Sequence, residues 1–312
     1  MENRSTGTSQ YQIKSALYGL LIGDAVGVPY EFNDAKTLAK LDTIDMVPPK
    51  NFQRSHAGEL PGTWSDDGAQ MLCLFASLKA CGKFDIYDIA DRFVAWYDRG
   101  YMAINHRVFD VGIQTSRSLH EYKLSKNPYT SGLVVENGRG NGSLMRVLPV
   151  GLHSEYSDQQ LIDYSHQQSL ITHGDAVPQI CCALYSLWVS SIINGLSIKH
   201  AYEYAVNTLT EHYQSQDDFL YLLEERVRPL DYALTGKGGG YVIDSLRSVR
   251  DVLLNTDNYR DAIINSILLG DDTDTTAAIA GGIAGLYYGY DAIPQPWVDL
   301  LVGKALVEEL LV

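Results

Sequence analysis

Cysteine is scarce in this 312-residue chain. There are four, Cys73, Cys81, Cys181 and Cys182; all lie in apolar runs and no C-x-x-C spacing occurs, which argues against a disulfide scaffold or a thiolate zinc site. Positive charge is also short, with 24 Lys and Arg against 38 Asp and Glu and a net charge of −14. A phosphate backbone would be repelled over most of such a surface, so general nucleic-acid binding is not expected. The most apolar stretch, 176–196, is interrupted by Pro178, Gln179, Ser186, Ser190, Ser191 and Asn194, which favours a buried helix over a membrane span. The opening residues are polar, with no basic flank, apolar block or small-residue cleavage site, so no secretory signal is read and a cytoplasmic protein with no membrane partner is expected. No sustained period-two alternation, fixed repeat or flexible linker is found.

What is present is helical periodicity. With 46% hydrophobic residues the chain has material for one sizeable core. Apolar residues recur at helical spacing, as in Ile13, Ala16, Leu17, Leu20 and Leu21, or Met71, Leu74, Phe75 and Leu78. Further helices are expected at 85–99, 159–170, 175–195, 198–214, 241–255, 258–269, 274–289 and 296–311. Irregular stretches fall at 30–64, 100–112, 125–151 and 228–240, where Gly, Pro, Asn and Ser gather. The expected organisation is a disordered or extended N-terminus over 1–11 and a single all-α domain over 12–312.

Two acidic clusters stand out. In GTWSDDGAQM, Ser65, Asp66 and Asp67 directly precede a helix; one such residue is a sufficient N-cap, while two carboxylates and a hydroxyl exceed what a cap needs. In LLGDDTDTTAAIAGG, Asp271, Asp272, Asp274 and three threonines precede a helix of small residues. Carboxylates so close repel one another unless a cation or protons offset them. Oxygen-only donors suit Mg²⁺ or Mn²⁺, and the lack of nearby Cys or His argues against zinc. The Ala- and Gly-rich helix that follows allows close backbone approach and belongs at the centre of the fold, where bare carboxylates are costly.

These clusters, together with GDAVGVPYEF at 23–32, resemble the ADP-ribosylglycohydrolase family, over about residues 12–290 and in the same order. The resemblance implies a compact orthogonal helical bundle holding two Mg²⁺, with Mn²⁺ as the alternative ion. It places the metal ligands on Ser65, Asp66, Asp67, Asp272, Asp274 and Thr275; family members often carry Thr where this chain has Ser65 and Gly68, and often Gly at Asp271, which is left outside the ligand set. Asp24 reads as an acid that orients a turn through backbone hydrogen bonds. Glu31 matches a family glutamate near the scissile sugar, and Asp110, in RVFDVG, matches an aspartate facing the site, although a loop acid and a helix cap are the alternatives. Gly140, Asn141, Gly142, Ser143 and Met145 match a loop around the diphosphate and distal ribose, in keeping with the capacity of glycine-rich backbone N–H groups to surround phosphate. Arg146 is assigned a salt bridge within the helical body in preference to a phosphate contact. His173 and Tyr241 match residues near the ribose and the site entrance.

The implied activity is metal-dependent hydrolysis of ADP-ribose from ADP-ribosylated protein side chains, arginine foremost. Two alternatives remain: hydrolysis of a small ADP-ribose conjugate such as the O-acetyl ester, and a non-catalytic, immunity-type protein that binds ADP-ribose or an ADP-ribosyltransferase. The complete acidic set favours turnover, because binding alone has no need of a full metal shell.

Overall fold

The computed structural model describes residues 7–134, 139–228 and 235–312. Among them the chain is all-α, with only isolated β-bridges and no sheet. The longer helices are α1 (Gln10–Gly27), α2 (Asp66–Cys81), α3 (Ile86–Arg99), α4 (Ile113–Ser125), α5 (Asp158–Leu170), α6 (Ala176–Ile193), α7 (Ile198–Tyr213), α8 (Val242–Leu254), α9 (Tyr259–Leu268), α10 (Thr273–Tyr288) and α11 (Lys304–Leu311).

Their starts follow local chemistry. Ser9 and Ser157 form capping boxes with Gln12 and Gln160, and Asp85, Asp175, Ser197 and Asn258 each accept a backbone N–H of the first turn. Because Ser9 is a cap, α1 begins at Gln10, inside the stretch assigned to an extended N-terminus; Thr8 is itself tied to Leu152 and Ser154. Residues 1–6 of that stretch lie outside the described residues.

Two departures from the periodicity reading have physical causes. The helix expected over 296–311 is split into Gln295–Leu300 and α11, because Gly303 adopts φ +79° and Val302 N–H turns away to the carbonyl of Gly62. Helix α4 was not anticipated: its buried face is Thr115, Ser118, Leu119 and Tyr122, too polar to register as an apolar stripe. Most of the 30–64 stretch is irregular, as expected, apart from short helical turns at 28–30 and 35–38.

At the centre α1 crosses α10, and small residues let the backbones touch. A Cβ on Gly19 would stand 2.3 Å from the carbonyl oxygen of Gly281, one on Gly23 2.1 Å from that of Ala277, and one on Gly27 2.4 Å from Cα of Asp274. Glycine is obligatory at such a crossing, and its low helix propensity is tolerated because tertiary packing overrides it. The consequence is positional: the C-terminal turn of α1, with Asp24, is held against the N-terminal turn of α10, with Asp274. Helix α6, long and apolar enough in isolation to cross a membrane, is instead buried on almost every face against α5, α7 and α8. All four cysteines are free.

Candidate functional site

The N-terminal turns of α2 and α10 meet. Thr275 Oγ1 donates to Asp67 Oδ1 at 3.3 Å, across 208 residues of sequence. Asp24 sets the position of α2: its carboxylate accepts the backbone N–H of Ser65 at 2.9 and 3.0 Å and that of Gly68 at 2.8 Å. Gly68 is part of the same fit, since a Cβ there would press on Leu21, Trp64 and Asp24. On the other side Thr273 Oγ1 donates to the carbonyl of Gly27.

The result is a buried acidic centre. Asp66, Asp67 and Asp274 are 5%, 1% and 0% exposed, and Ser65 and Thr275 are 3% and 5% exposed. Carboxylate oxygens of Asp24, Asp67 and Asp274 come within 4.8 Å of one another, as do those of Glu31, Asp272 and Asp274. Asp24 is committed to backbone donors and acts as a strut. Asp67 Oδ2 and Asp274 Oδ2 are fully buried and have no hydrogen-bond partner. Burial, and then the neighbouring carboxylates, hold Asp66, Asp67 and Asp274 well above the ordinary carboxylate range. Burial pushes Asp24 up to about 7 despite its backbone donors. Such a group either retains protons or accepts a cation. The hard oxygen donors and the two orphaned oxygens fit a divalent ion such as Mg²⁺ or Mn²⁺.

Above this centre sit Glu31, His56 and Asp110, which also come within 4.8 Å of one another. His56 Nε2 is 2.6 Å from Glu31 Oε2 and 3.8 Å from Asp110 Oδ1. Burial raises Glu31 to about 7, opposed by the hydrogen bond to His56; that same bond raises the imidazole. Asp110 is raised by burial and sits with Glu31 and His56 over the centre. It does not cap α4, whose N-cap, Gly112, has no side-chain bond. His56 was missed from sequence: it lies in an irregular stretch with no motif around it.

The backbone here is strained. Phe32, His56, Asp110 and Asp271 all have φ between 49° and 62°, a region that costs about 1–3 kcal/mol for a non-glycine residue. Phe32 and Asp271 support one another, with Phe32 N–H to the carbonyl of Asp271 at 2.7 Å and Asp271 N–H to that of Asn33 at 2.8 Å. Phe32 is 71% exposed at the lip of a cleft of about 400 Å³ lined by Glu31, Gly240, Asp271 and Asp272. Asp271 contributes backbone hydrogen bonds here.

The glycine-rich loop closes the other wall. Asn141 N–H bonds the carbonyl of Gly240 at 3.2 Å and Val242 N–H that of Arg139 at 2.9 Å, while the Asn141 side chain donates to Ser245 Oγ at 2.9 Å and Asp272 Oδ2 at 2.8 Å. This brings Gly140, Asn141, Gly142 and the 44%-exposed Tyr241 beside the acidic centre. Ser143 and Met145 of the same loop are both buried, and Ser143 Oγ accepts from Ser169 and Cys182 within the body. His173 is 2% exposed, and its ring lies beneath the loop, with Cε1 2.9 Å from where a Cβ on Gly142 would be. Burial depresses His173 to about 3, so it is neutral. Positions 135–138 of this loop and 229–234 of the 228–240 stretch fall outside the described residues.

Arg146 corrects the salt-bridge expectation. It is completely buried, and no carboxylate within ion-pair distance faces it among the described residues. Its donors go to Gln70 Oε1 (2.7 Å), Gln168 Oε1 (3.0 Å), the Gln168 carbonyl (2.9 Å) and Thr172 Oγ1 (2.8 Å), with the guanidinium 4.3 Å from the Phe93 ring centroid. A ring of neutral acceptors replaces the counter-ion.

Comparison with known proteins agrees with this architecture. A model of the family described as ADP-ribosylglycohydrolase matches residues 6–312. The chain is 34% identical over 297 residues to the ADP-ribosylarginine hydrolase Tri1 of Serratia proteamaculans (strain 568), covering 95% of this chain and 77% of that one. It is 29% identical over 292 residues to the ADP-ribosyl-[dinitrogen reductase] glycohydrolase of Rhodospirillum rubrum, covering 92% and 88%. A solved structure titled ADP-ribosylglycohydrolase-related protein complex superposes with a TM-score of 0.75 at 27% identity, covering 97% of this chain and 96% of the other.

Proposed function

The chain belongs to the ADP-ribosylglycohydrolase family, and from that premise we propose that it removes ADP-ribose from arginine side chains of modified proteins in a reaction dependent on divalent metal. Family membership supports ADP-ribosylhydrolase activity on modified residues; the arginine acceptor is supported by similarity to hydrolases of that name. The observation that carries metal dependence is the pair of buried, unpartnered oxygens, Asp67 Oδ2 and Asp274 Oδ2.

Ser65, Asp66, Asp67, Asp272, Asp274 and Thr275 would hold two Mg²⁺, or Mn²⁺, and ions there would supply positive charge to polarise the ribose hydroxyls. The remaining work falls to the chain. Backbone N–H groups of Gly140 and Gly142 bind the diphosphate, and Tyr241 packs at the entrance. Glu31 and Asp110 face the anomeric carbon. As the bond to the acceptor nitrogen lengthens, positive charge grows on the ribose, and these carboxylates stabilise it. With its pKa near 7, Glu31 is suited to take a proton from the incoming water, and His56 holds its orientation.

The test is release of free ADP-ribose from arginine- and serine-linked substrates, with Mg²⁺ and with chelator. Metal-dependent release from the arginine linkage, reduced about 100-fold or more in Asp272→Ala, is expected. Tight binding of ADP-ribose with no release from either linkage sinks the proposal.

A further inference from the structure

Beneath the cleft a single buried guanidinium touches both of its walls. On one side Arg146 Nη1 donates to Gln70 Oε1 at 2.7 Å, and Gln70 Nε2 donates to Asp66 Oδ2 at 3.1 Å. On the other Arg146 Nη2 donates to Thr172 Oγ1 at 2.8 Å, and Thr172 Oγ1 lies 2.8 Å from His173 Nδ1. Asn141 already ties the glycine loop to Asp272; this second path leads to the earlier aspartate pair.

The direction of each bond follows from what the groups can do. A guanidinium only donates, so Thr172 Oγ1 accepts from it. Among the described residues the hydroxyl proton then has one acceptor, His173 Nδ1. An imidazole that accepts at Nδ1 carries its proton on Nε2. That nitrogen faces the glycine loop, 3.3 Å from the Cβ position of Gly142 and 3.5 Å from that of Gly140. Along the other arm Gln70 Oε1 accepts from Arg146, which turns its NH₂ toward Asp66. Reversing the first relay would leave the Thr172 hydroxyl proton without an acceptor among the described residues, and turning the Gln70 amide would set its NH₂ against the guanidinium.

We propose that Arg146 is a positioning residue for both halves of the cleft: through Thr172 it fixes His173 as the Nε2–H tautomer under the phosphate-binding loop, and through Gln70 it orients the Asp66 carboxylate toward the metal centre. This rests on the reading that the loop receives ADP-ribose and the aspartates receive Mg²⁺. The burial that keeps His173 neutral is what makes its tautomer, rather than its charge, the controlled quantity.

The experiment is ¹⁵N NMR of the full chain with labelled histidine, paired with binding of Mg²⁺ and, in chelator, of ADP-ribose. Variants are Thr172→Val, Gln70→Met and Arg146→Lys, the last retaining charge in case larger changes fail to fold. Wild type should show His173 as the Nε2–H form. Thr172→Val should give a tautomer mixture and weaken ADP-ribose about fivefold, the worth of one hydrogen bond, with Mg²⁺ affinity within twofold. Gln70→Met should do the reverse, weakening Mg²⁺ about fivefold and leaving the tautomer unchanged. Arg146→Lys, with fewer and differently directed donors, should disturb both. An Nδ1–H tautomer in wild type, or one unaltered in Thr172→Val, overturns the proposal. So do equal losses of both affinities in every variant, the mark of a merely structural role. Because the tautomer is read without turnover or ligand, a chain that cleaves no linkage would defeat the functional reading and leave this result standing.

Discussion

Two buried charged regions lie on either side of Gln70, and they are constructed in opposite ways. The acidic centre collects Asp66, Asp67 and Asp274 with no cationic side chain paired to them among the described residues, and leaves two carboxylate oxygens without a partner there. The Arg146 layer holds one cation with no paired acid among the described residues, yet surrounds it with four accepting contacts and an aromatic face. Burying an ion costs several kcal/mol unless it is compensated. In one region the fold supplies the compensation from its own neutral dipoles; in the other it withholds it, which is the condition for binding something from outside. Between these two charged layers, incomplete satisfaction falls on the acidic side and complete satisfaction on its support.

The comparison can be broken most severely at the satisfied charge. Arg146→Met keeps much of the volume but strands the acceptors on Gln70, Gln168 and Thr172, and urea unfolding should show a loss of about 3–5 kcal/mol. A loss below about 1 kcal/mol would mean that the layer is not the compensated structure described. At the unsatisfied charge the sign should invert. Asp274→Asn removes a costly carboxylate, so in chelator the variant should be more stable than wild type by about 1–3 kcal/mol, while the stabilisation by added Mg²⁺ disappears. Equal stabilisation of both proteins by Mg²⁺ would place the ion elsewhere.

A smaller effect sharpens the comparison through pH. Asp24 and Glu31 are raised to about 7 in the folded state, so in chelator the folded protein binds more protons than the unfolded chain between roughly pH 4 and 7. Their contribution is present below the unfolded pKa and is lost as pH rises through about 7. The rise in melting temperature produced by Mg²⁺ should accordingly be larger at pH 8 than at pH 6. Thermal unfolding at the two pH values, with and without Mg²⁺, checks this; a shift independent of pH would show that these carboxylates are already ionised in the free protein. His173 runs the other way. Depressed to about 3, it stabilises fully above about pH 6.5 and progressively less below, where the unfolded chain takes up the proton first.

Much of this was legible before the structure. Helix starts were readable where Ser, Asp or Asn offered an oxygen to a free N–H, and the small residues of α10 announced a close crossing. The two acidic clusters were readable because adjacent carboxylates in an apolar context require an explanation. Other features had no local signature. Helix α4 buries a polar face, and the break at Gly303 looks like one more residue in an amphipathic stretch. His56 owes its place to the course of the 30–64 segment, while Ser143 and Met145 sit in the recognised loop but turn inward.

By itself, then, the sequence determined the helical class, the family and the oxygen chemistry of the two clusters, because these depend on composition, short-range periodicity and neighbours within one turn. Tertiary structure alone decided which charges would be satisfied. Arg146 found neutral acceptors on α2 and around the end of α5 where an acid was expected, Asp24 became a strut for Ser65 and Gly68, and Asp67 and Asp274 were left with bare oxygens. That outcome depends on which helix ends the glycine crossing of α1 and α10 brings together, and no stretch of sequence encodes it locally.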